Sequence, residues 1–175
     1  MKIRFKIQEL RVKNFFSKME KGFTLVELLL YTGLFTILLV VLLEVFSAII
    51  DVQLTSQSTT STTQDGQYIL ARLSYDLGRA TAITSPSGLG TTAFSLTVTI
   101  SGNPVTFSLS NGNLDEGSTQ LNGYDTTVSS FSVKRLQSTN GIDSITVAFT
   151  LTSKTKNGNG PDTKNFQTTI SLRKP

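Results

Sequence analysis

What this chain lacks narrows the chemistry open to it. Its 175 residues include no histidine and no cysteine. A Ser-His-Asp triad, a Cys-His pair and a His- or thiolate-ligated metal are therefore excluded within the chain, and so is a disulfide framework. The acids offer little more. Asp115-Glu116, with Asp125 nearby, lacks the ligand spacing of a calcium loop and reads as a solvated loop. Asn157–Pro161 is glycine-rich but is not followed by the Lys-Ser/Thr of a phosphate cradle, so it reads as a hairpin loop. Lys134-Arg135 reads as surface charge. Asp76 and Arg79 are three apart on a helix face and can pair locally, a contribution of about 0.2–0.5 kcal/mol. No catalytic residue, metal site or cofactor is expected. The acid that stands out is Glu27, which lies at the start of a long apolar run, where a carboxylate needs a reason.

Charge placement separates that run from what precedes it. Residues 1–22 hold seven Lys or Arg and two acids, a net +5. The remainder holds nine basic and ten acidic groups, a net −1. The basic character of the whole chain (+4) thus belongs to its first 22 residues. Beyond them no basic patch is available for phosphates, so strong generic binding of nucleic acid is not expected. The cations alternate with Ile3, Phe5, Ile7, Leu10, Val12, Phe15 and Phe16, which fits a basic amphipathic segment on a cytoplasmic membrane face or a disordered one. Met19 offers a second start, which would leave a leader of Met19-Glu20-Lys21-Gly22.

Leu28 to Leu43 carries no charge. As helix it would extend about 24 Å, and Leu25–Ile50 about 39 Å, against a bilayer core of about 30 Å. The run can span. Gly33, with Thr32 and Thr36, supplies its only soft spots. The Lys/Arg excess ahead of it places the N-terminus in the cytoplasm and the rest outside, as a single pass. A secretory signal would be cut after the apolar run, following small residues; Phe46-Ser47-Ala48 serves that poorly. The glycine, Gly22, comes before the run instead. Glu44 is a second acid, read as marking the outer membrane–water boundary.

The elements beyond change period twice. Leu54, Ser58 and Ser61 make a thin helical stripe through a Thr/Ser-rich piece of poor helix propensity, with Gly66 weakening it further and a break near Thr60–Gly66 admitted. Ile69, Leu73, Leu77 and Ala80 then line one face, with Leu70 beside them. Thr84–Thr91 is a loop by composition. After it the period becomes two: Phe94–Ile100, Val105–Leu109, Val128–Val133, Ile145–Leu151 and Phe166–Leu172 read as strands. Turn signals separate them at Ser101–Pro104, Asn111-Gly112, Asn140-Gly141 and Asn157–Pro161. The expected fold is α+β. A long N-terminal helix, half membrane-like and half amphipathic, lies on one antiparallel meander sheet and covers its apolar face. The expected division is 1–22 leader, 23–50 membrane half, 51–82 amphipathic half and 83–175 sheet domain.

The string Gly22-Phe23-Thr24-Leu25-Val26-Glu27-Leu28 closely resembles the prepilin processing site of type IV pilins and of the pseudopilins of type II secretion and DNA-uptake machines. The shorter strings Tyr75–Ala80 and Phe166–Arg173 look similar to minor pilins and J-type pseudopilins. The resemblance implies cleavage between Gly22 and Phe23 by a membrane prepilin peptidase, N-methylation of Phe23, and Glu27 as the acid that guides assembly. It implies a pilin-like fold, and a span from Leu28 through Gly33 to Leu43 that stores the subunit in the membrane. The implied partners are other pilin or pseudopilin subunits, an inner-membrane assembly platform and membrane lipid. Assembly would put the chain in a cell-surface or periplasmic filament. Two other readings stay open: a filament-tip binding module for a surface, DNA or secreted cargo, and an anchored β-domain that never polymerises.

Overall fold

The computed structural model describes residues 22–137, 143–158 and 160–172. The cations of residues 1–21, Met19, the Asn140-Gly141 turn and Arg173 lie outside them. The chain divides into two units, Met1–Ala48 and Ile49–Pro175.

One helix, α1, runs from Leu25 to Arg79. It is unbroken through Thr60–Gly66, where a break was admitted. Within the first unit its side chains from Leu25 to Ala48 are all exposed, and the helix is long and apolar enough to cross a membrane. Three threonines are accommodated by local bonding. The Thr32 hydroxyl donates to the Leu28 or Leu29 carbonyl at 3.0 Å, and Thr36 donates to the Thr32 carbonyl at 2.8 Å, so neither needs water. Thr24 caps the helix start.

In the second unit one face of α1 is buried, at Ser58, Thr62, Gly66, Ile69, Leu73, Asp76 and Leu77. Their three- and four-residue spacing is one helical face. The expected stripe of Ile69, Leu73 and Leu77 is fully buried, but its polar continuation runs through Ser58 and Thr62 instead of Leu54 and Ser61. The helix stops at Arg79. Ala80, expected as its last apolar position, opens strand β1.

Nine antiparallel strands follow: β1 (Ala80–Ser85), β2 (Thr92–Ala93), β3 (Ser95–Ile100), β4 (Asn103–Ser110), β5 (Asn113–Glu116), β6 (Thr119–Gln120), β7 (Thr126–Gln137), β8 (Asp143–Asn157) and β9 (Gly160–Ser171). They form two sheets, in the orders β1-β3-β4-β5-β6 and β2-β7-β8-β9, which corrects the single meander. The five expected strands are present as β3, β4, β7, β8 and β9. The short ones were missed because Ala80–Ser85, Thr92–Ala93 and Thr119–Gln120 carry too few apolar residues to show a period of two. Phe94 corrects the alternation too. It lies where the chain passes from β2 in one sheet to β3 in the other, and it is 77% exposed.

Two hairpins of the first sheet, β3–β4 and β4–β5, turn on paired positive-φ residues, Ser101 (51°) with Gly102 (84°) and Asn111 (51°) with Gly112 (78°). Two such residues in succession match the twist of the flanking strands. One core joins the two sheets and the helix: Leu96, Val98, Phe107 and Leu114 from the first sheet, Phe131, Val133, Ile145, Val147, Phe149 and Leu151 from the second, and the Ile69–Leu77 stripe. Phe166 stacks on Phe149 at 5.3 Å and lies against Gly66. A Cβ on Gly66 would sit 2.1 Å from the Phe166 ring. The glycine that weakens the helix by sequence, at about 1 kcal/mol against alanine, is there to admit an aromatic ring.

Candidate functional site

The first unit holds the residues singled out by the sequence. Gly22 and Phe23 are exposed and precede the helix, and no heavy atom lies within 4 Å of where a Gly22 Cβ would be. The backbone there is open to an enzyme. Phe23 touches its own helix edge-on at Tyr31, with ring centroids 6.0 Å apart. Thr24 and Glu27 are coupled. The Glu27 amide donates to Thr24 Oγ1 at 3.3 Å, the Thr24 hydroxyl donates to Glu27 Oε2 at a long 3.5 Å, and the Leu28 amide donates to the Thr24 carbonyl at 3.0 Å. This is a variant of the capping box, in which a Thr cap and a Glu three residues on satisfy the free ends of the first turn. The Thr-x-x-Glu spacing carried that signal, and sequence reasoning passed over it. A carboxylate in the first turn also suits the positive end of the helix dipole. Glu27 therefore has a local role as well as any intermolecular one.

Leu28, Gly33 and Leu43 mark the apolar span. Leu28 and Leu43 are exposed, and space around Gly33 is open. No covering surface for this face exists among the described residues. Glu44 is exposed on the same helix, with no bonded partner among the described residues.

In the second unit the charged residues tie elements together. Arg72 of α1 makes a two-pronged pair with Glu116 of β5, Nε to Oε2 at 2.8 Å and Nη2 to Oε1 at 2.9 Å. Asp76 Oδ2 is also 2.8 Å from Arg72 Nε. The single Nε proton is aimed at Glu116, so Asp76 Oδ2 is buried in ion-pair contact without an aligned hydrogen bond. Burial, and then the nearby Glu116 carboxylate, raise the Asp76 carboxyl above its ordinary value, while Arg72 and Arg79 pull it down. The hydrogen bond to Glu116 holds the Arg72 guanidinium even more firmly protonated than usual.

Three expectations are corrected here. Asp115-Glu116 lies on a strand and grips the helix; it is not a solvated loop. Asp76 pairs with Arg72, one turn back, while Arg79 donates to the Tyr75 hydroxyl at 2.9 Å. Arg135 is more than surface charge: it binds Asp143 at 2.6 Å and the carbonyls of Pro86 and Ser87 at 3.4 and 3.2 Å, holding the loop before β2 to the second sheet. The grip of Arg72 on Glu116 and of Arg135 on the Pro86 and Ser87 carbonyls was not visible in the sequence, because the partners are 44 to 49 positions apart. Arg72 competes for Asp76 with the nearer Arg79, and Asp143, eight positions on, meets Arg135 only across the β7–β8 pairing.

The Thr/Ser-rich piece of α1 is docked by polar contacts. Thr62 donates to Asp162 Oδ2 at 2.8 Å, the Asp162 amide donates to Ser58 Oγ at 3.2 Å, and Lys164 donates to Thr63 Oγ1 at 2.7 Å. Asp65 accepts from the Gly123 amide at 2.8 Å and from the Thr126 hydroxyl, which pins the connection between β6 and β7. These carboxylates and cations are spent on structure. Among the described residues no group of three His, Cys, Asp or Glu side chains is placed to hold a metal ion.

No family model, curated protein or solved structure matches the chain.

Proposed function

We propose that this chain is a structural subunit, a minor pilin or pseudopilin, of a type IV pilus-like filament. One observation carries the reading. A helix starts three residues after Gly22, holds an acid, Glu27, in its first turn, and exposes every apolar side chain from Leu25 to Ala48. Residues 1–22 are the leader. A prepilin peptidase cuts the open Gly22–Phe23 bond at the cytoplasmic face, and the new Phe23 amine is methylated. Until assembly the apolar helix is stored in the cytoplasmic membrane with the two-sheet domain outside. An uncompensated charge at the bilayer centre costs about 2.5–3.5 kcal/mol on insertion scales. In a filament the Phe23 amine of a neighbouring subunit, four residues ahead of Glu27 in its own chain, neutralises that carboxylate. The pairing sets the axial step, and the apolar helices bury one another. The inner-membrane platform that extracts the subunit, and the other subunits, are its partners. The chain itself performs no catalysis.

Mass spectrometry of filaments sheared from the producing cells tests this. The chain should appear in them beginning at Phe23, one methyl heavier than the bare sequence. A Glu27→Ala chain should be processed and remain in the membrane while dropping out of the filaments. Filaments without the chain, or an intact Lys21-Gly22-Phe23 junction in the cell, would overturn the reading in favour of an anchored β-domain.

A further inference from the structure

The outer strands of the two sheets are β1, β6, β2 and β9, and only one of them is left unguarded. β1 shifts register twice, between Ala80 and Ala82 and between Ile83 and Ser85. β2 and β6 are two residues each. Beyond the reach of β2, the edge of β7 is capped from outside its own sheet and at the loop before β2. The Val128 amide donates to the Gly112 carbonyl and the Gly90 amide to the Arg135 carbonyl, both at 2.8 Å. Irregular register, short length and covering loops are the means by which sheets keep foreign strands off their edges. β9 has none of these from Thr163 to Ser171, where its pairing with β8 runs without a shift. That stretch holds no proline and one charge, Lys164. The lysine is turned to α1, donating to Thr63 Oγ1 at 2.7 Å and to the Thr59 carbonyl at 3.4 Å. The helix closes the edge at Asp162, through Ser58, and no further along.

The ladder fixes which backbone groups are free. The Leu172 amide donates to the Asp143 carbonyl at 2.9 Å, continuing the register that pairs Ser144 with Ser171. Bonded and non-bonded pairs alternate along an antiparallel ladder. Lys164, Phe166, Thr168 and Ile170 therefore turn their N–H and C=O groups to β8. Thr163, Asn165, Gln167, Thr169 and Ser171 turn theirs away from it. Among the described residues none of these outward backbone groups has a hydrogen-bond partner.

A regular row of free N–H and C=O groups matches one shape of ligand, an extended backbone. Main-chain bonds supply the affinity and side chains the selection. On the inner face Phe166 and Ile170 pack against the core yet stay half-buried, so an added strand gains by laying apolar residues beside them. On the outer face it meets the uncharged Asn165, Gln167 and Thr169. We infer that the β9 edge takes up an extended peptide segment of another protein, antiparallel to β9, in which apolar and uncharged polar residues alternate. Antiparallel pairing is the stronger kind per residue. The same pairing with β9 of a second copy would set the two α1 helices in opposite directions, which two copies anchored in one membrane cannot adopt. That exclusion rests on the membrane reading; the open edge does not.

The probe is a fluorescent peptide copying Asp143–Ser153, a sequence that already pairs with the other side of β9 in this pattern. Its fluorescence anisotropy is followed with the full chain in detergent micelles. With its apolar side chains inward, the peptide offers the N–H groups of its Thr146, Ala148 and Thr150 to the edge. Methylating those three nitrogens should weaken binding at least tenfold. Methylating the nitrogens of Val147, Phe149 and Leu151 instead should leave it within about twofold. The two isomers have the same apolar content, so uptake by micelles cannot separate them. In the protein, Gln167→Pro removes an N–H that serves no ladder bond and puts a ring on the edge. It should unfold as the parent does and bind the peptide at least tenfold more weakly. Should this variant fail to fold, the two methylated isomers decide on the parent. Absence of binding, equal affinity of the isomers, or undiminished binding by folded Gln167→Pro overturns the inference. So does a dimer of the chain that Gln167→Pro dissolves, which would give the edge to a second copy.

Discussion

Leu34 and Leu73 sit on the same helix, yet one is 63% exposed and the other wholly buried. Both are leucines, so apolar character alone does not decide which is covered. Arrangement does. From Leu25 to Ala48 apolar side chains point in every direction around the axis, and a single sheet could hide only one side of such a cylinder. From Ile69 to Leu77 they form one stripe, with Gln67, Tyr68, Ala71, Ser74 and Tyr75 exposed on the other side. A stripe needs a sheet; a fully apolar cylinder needs surroundings apolar on all sides, which lipid or a bundle of like helices provides.

Four measurements sharpen or break that contrast. Leu73→Ala should lower the unfolding free energy by about 2–5 kcal/mol, followed by urea denaturation with circular dichroism at strand wavelengths. Leu34→Ala should change it by less than about 0.5 kcal/mol while weakening partition into bilayers. Equal losses would mean that the apolar half is packed against the chain after all. Gly66→Ala drives a methyl into the Phe166 ring and should cost about 1–3 kcal/mol. Combined with Phe166→Leu, the cost should be less than the sum of the two single changes; strict additivity would deny the contact.

Thr24→Ala removes the cap of the apolar half. It should cost about 1 kcal/mol locally and speed amide exchange at Val26 and Glu27, with no effect on sheet unfolding. The smallest effect concerns Asp76. An acid whose folded pKa is raised holds its proton more tightly folded than unfolded. Its contribution is therefore full below its ordinary value of 3.8 and is lost as pH rises through the raised one. Arg72, Arg79 and Glu116 are the charged groups that face it. Asp76→Asn should flatten this fall in denaturation midpoint, leaving the Arg72–Glu116 pair in place. A parent midpoint rising through the same window would contradict the burial.

The sequence disclosed what repeats. The apolar run, the Ile69/Leu73/Leu77 stripe and five strands each carry a period, and each is present. It hid what depends on one distant partner. Gly66 looked like a flaw because its explanation, Phe166, comes 100 residues later. Glu116 looked solvated because nothing local points to Arg72. The division into two sheets turns on Thr92–Ala93, two residues that pair with Val133 and Lys134 and carry no pattern. At the opening motif the reverse held: Thr24-x-x-Glu27 was a complete local signal, eclipsed by the glycine and phenylalanine beside it.

The grip of β9 on Ser58, Thr62 and Thr63 has a mechanical consequence. It consists of hydrogen bonds and one cation, and water can replace each of them at little net cost. Parting there would bare no oil, whereas parting at Ile69–Leu77 would bare the core. A pull along α1 from its apolar end would therefore loosen the second unit in steps, first a cheap and reversible slip over Ser58–Thr63, then a stiff stop at Gly66 and Phe166. A domain built this way yields before it breaks.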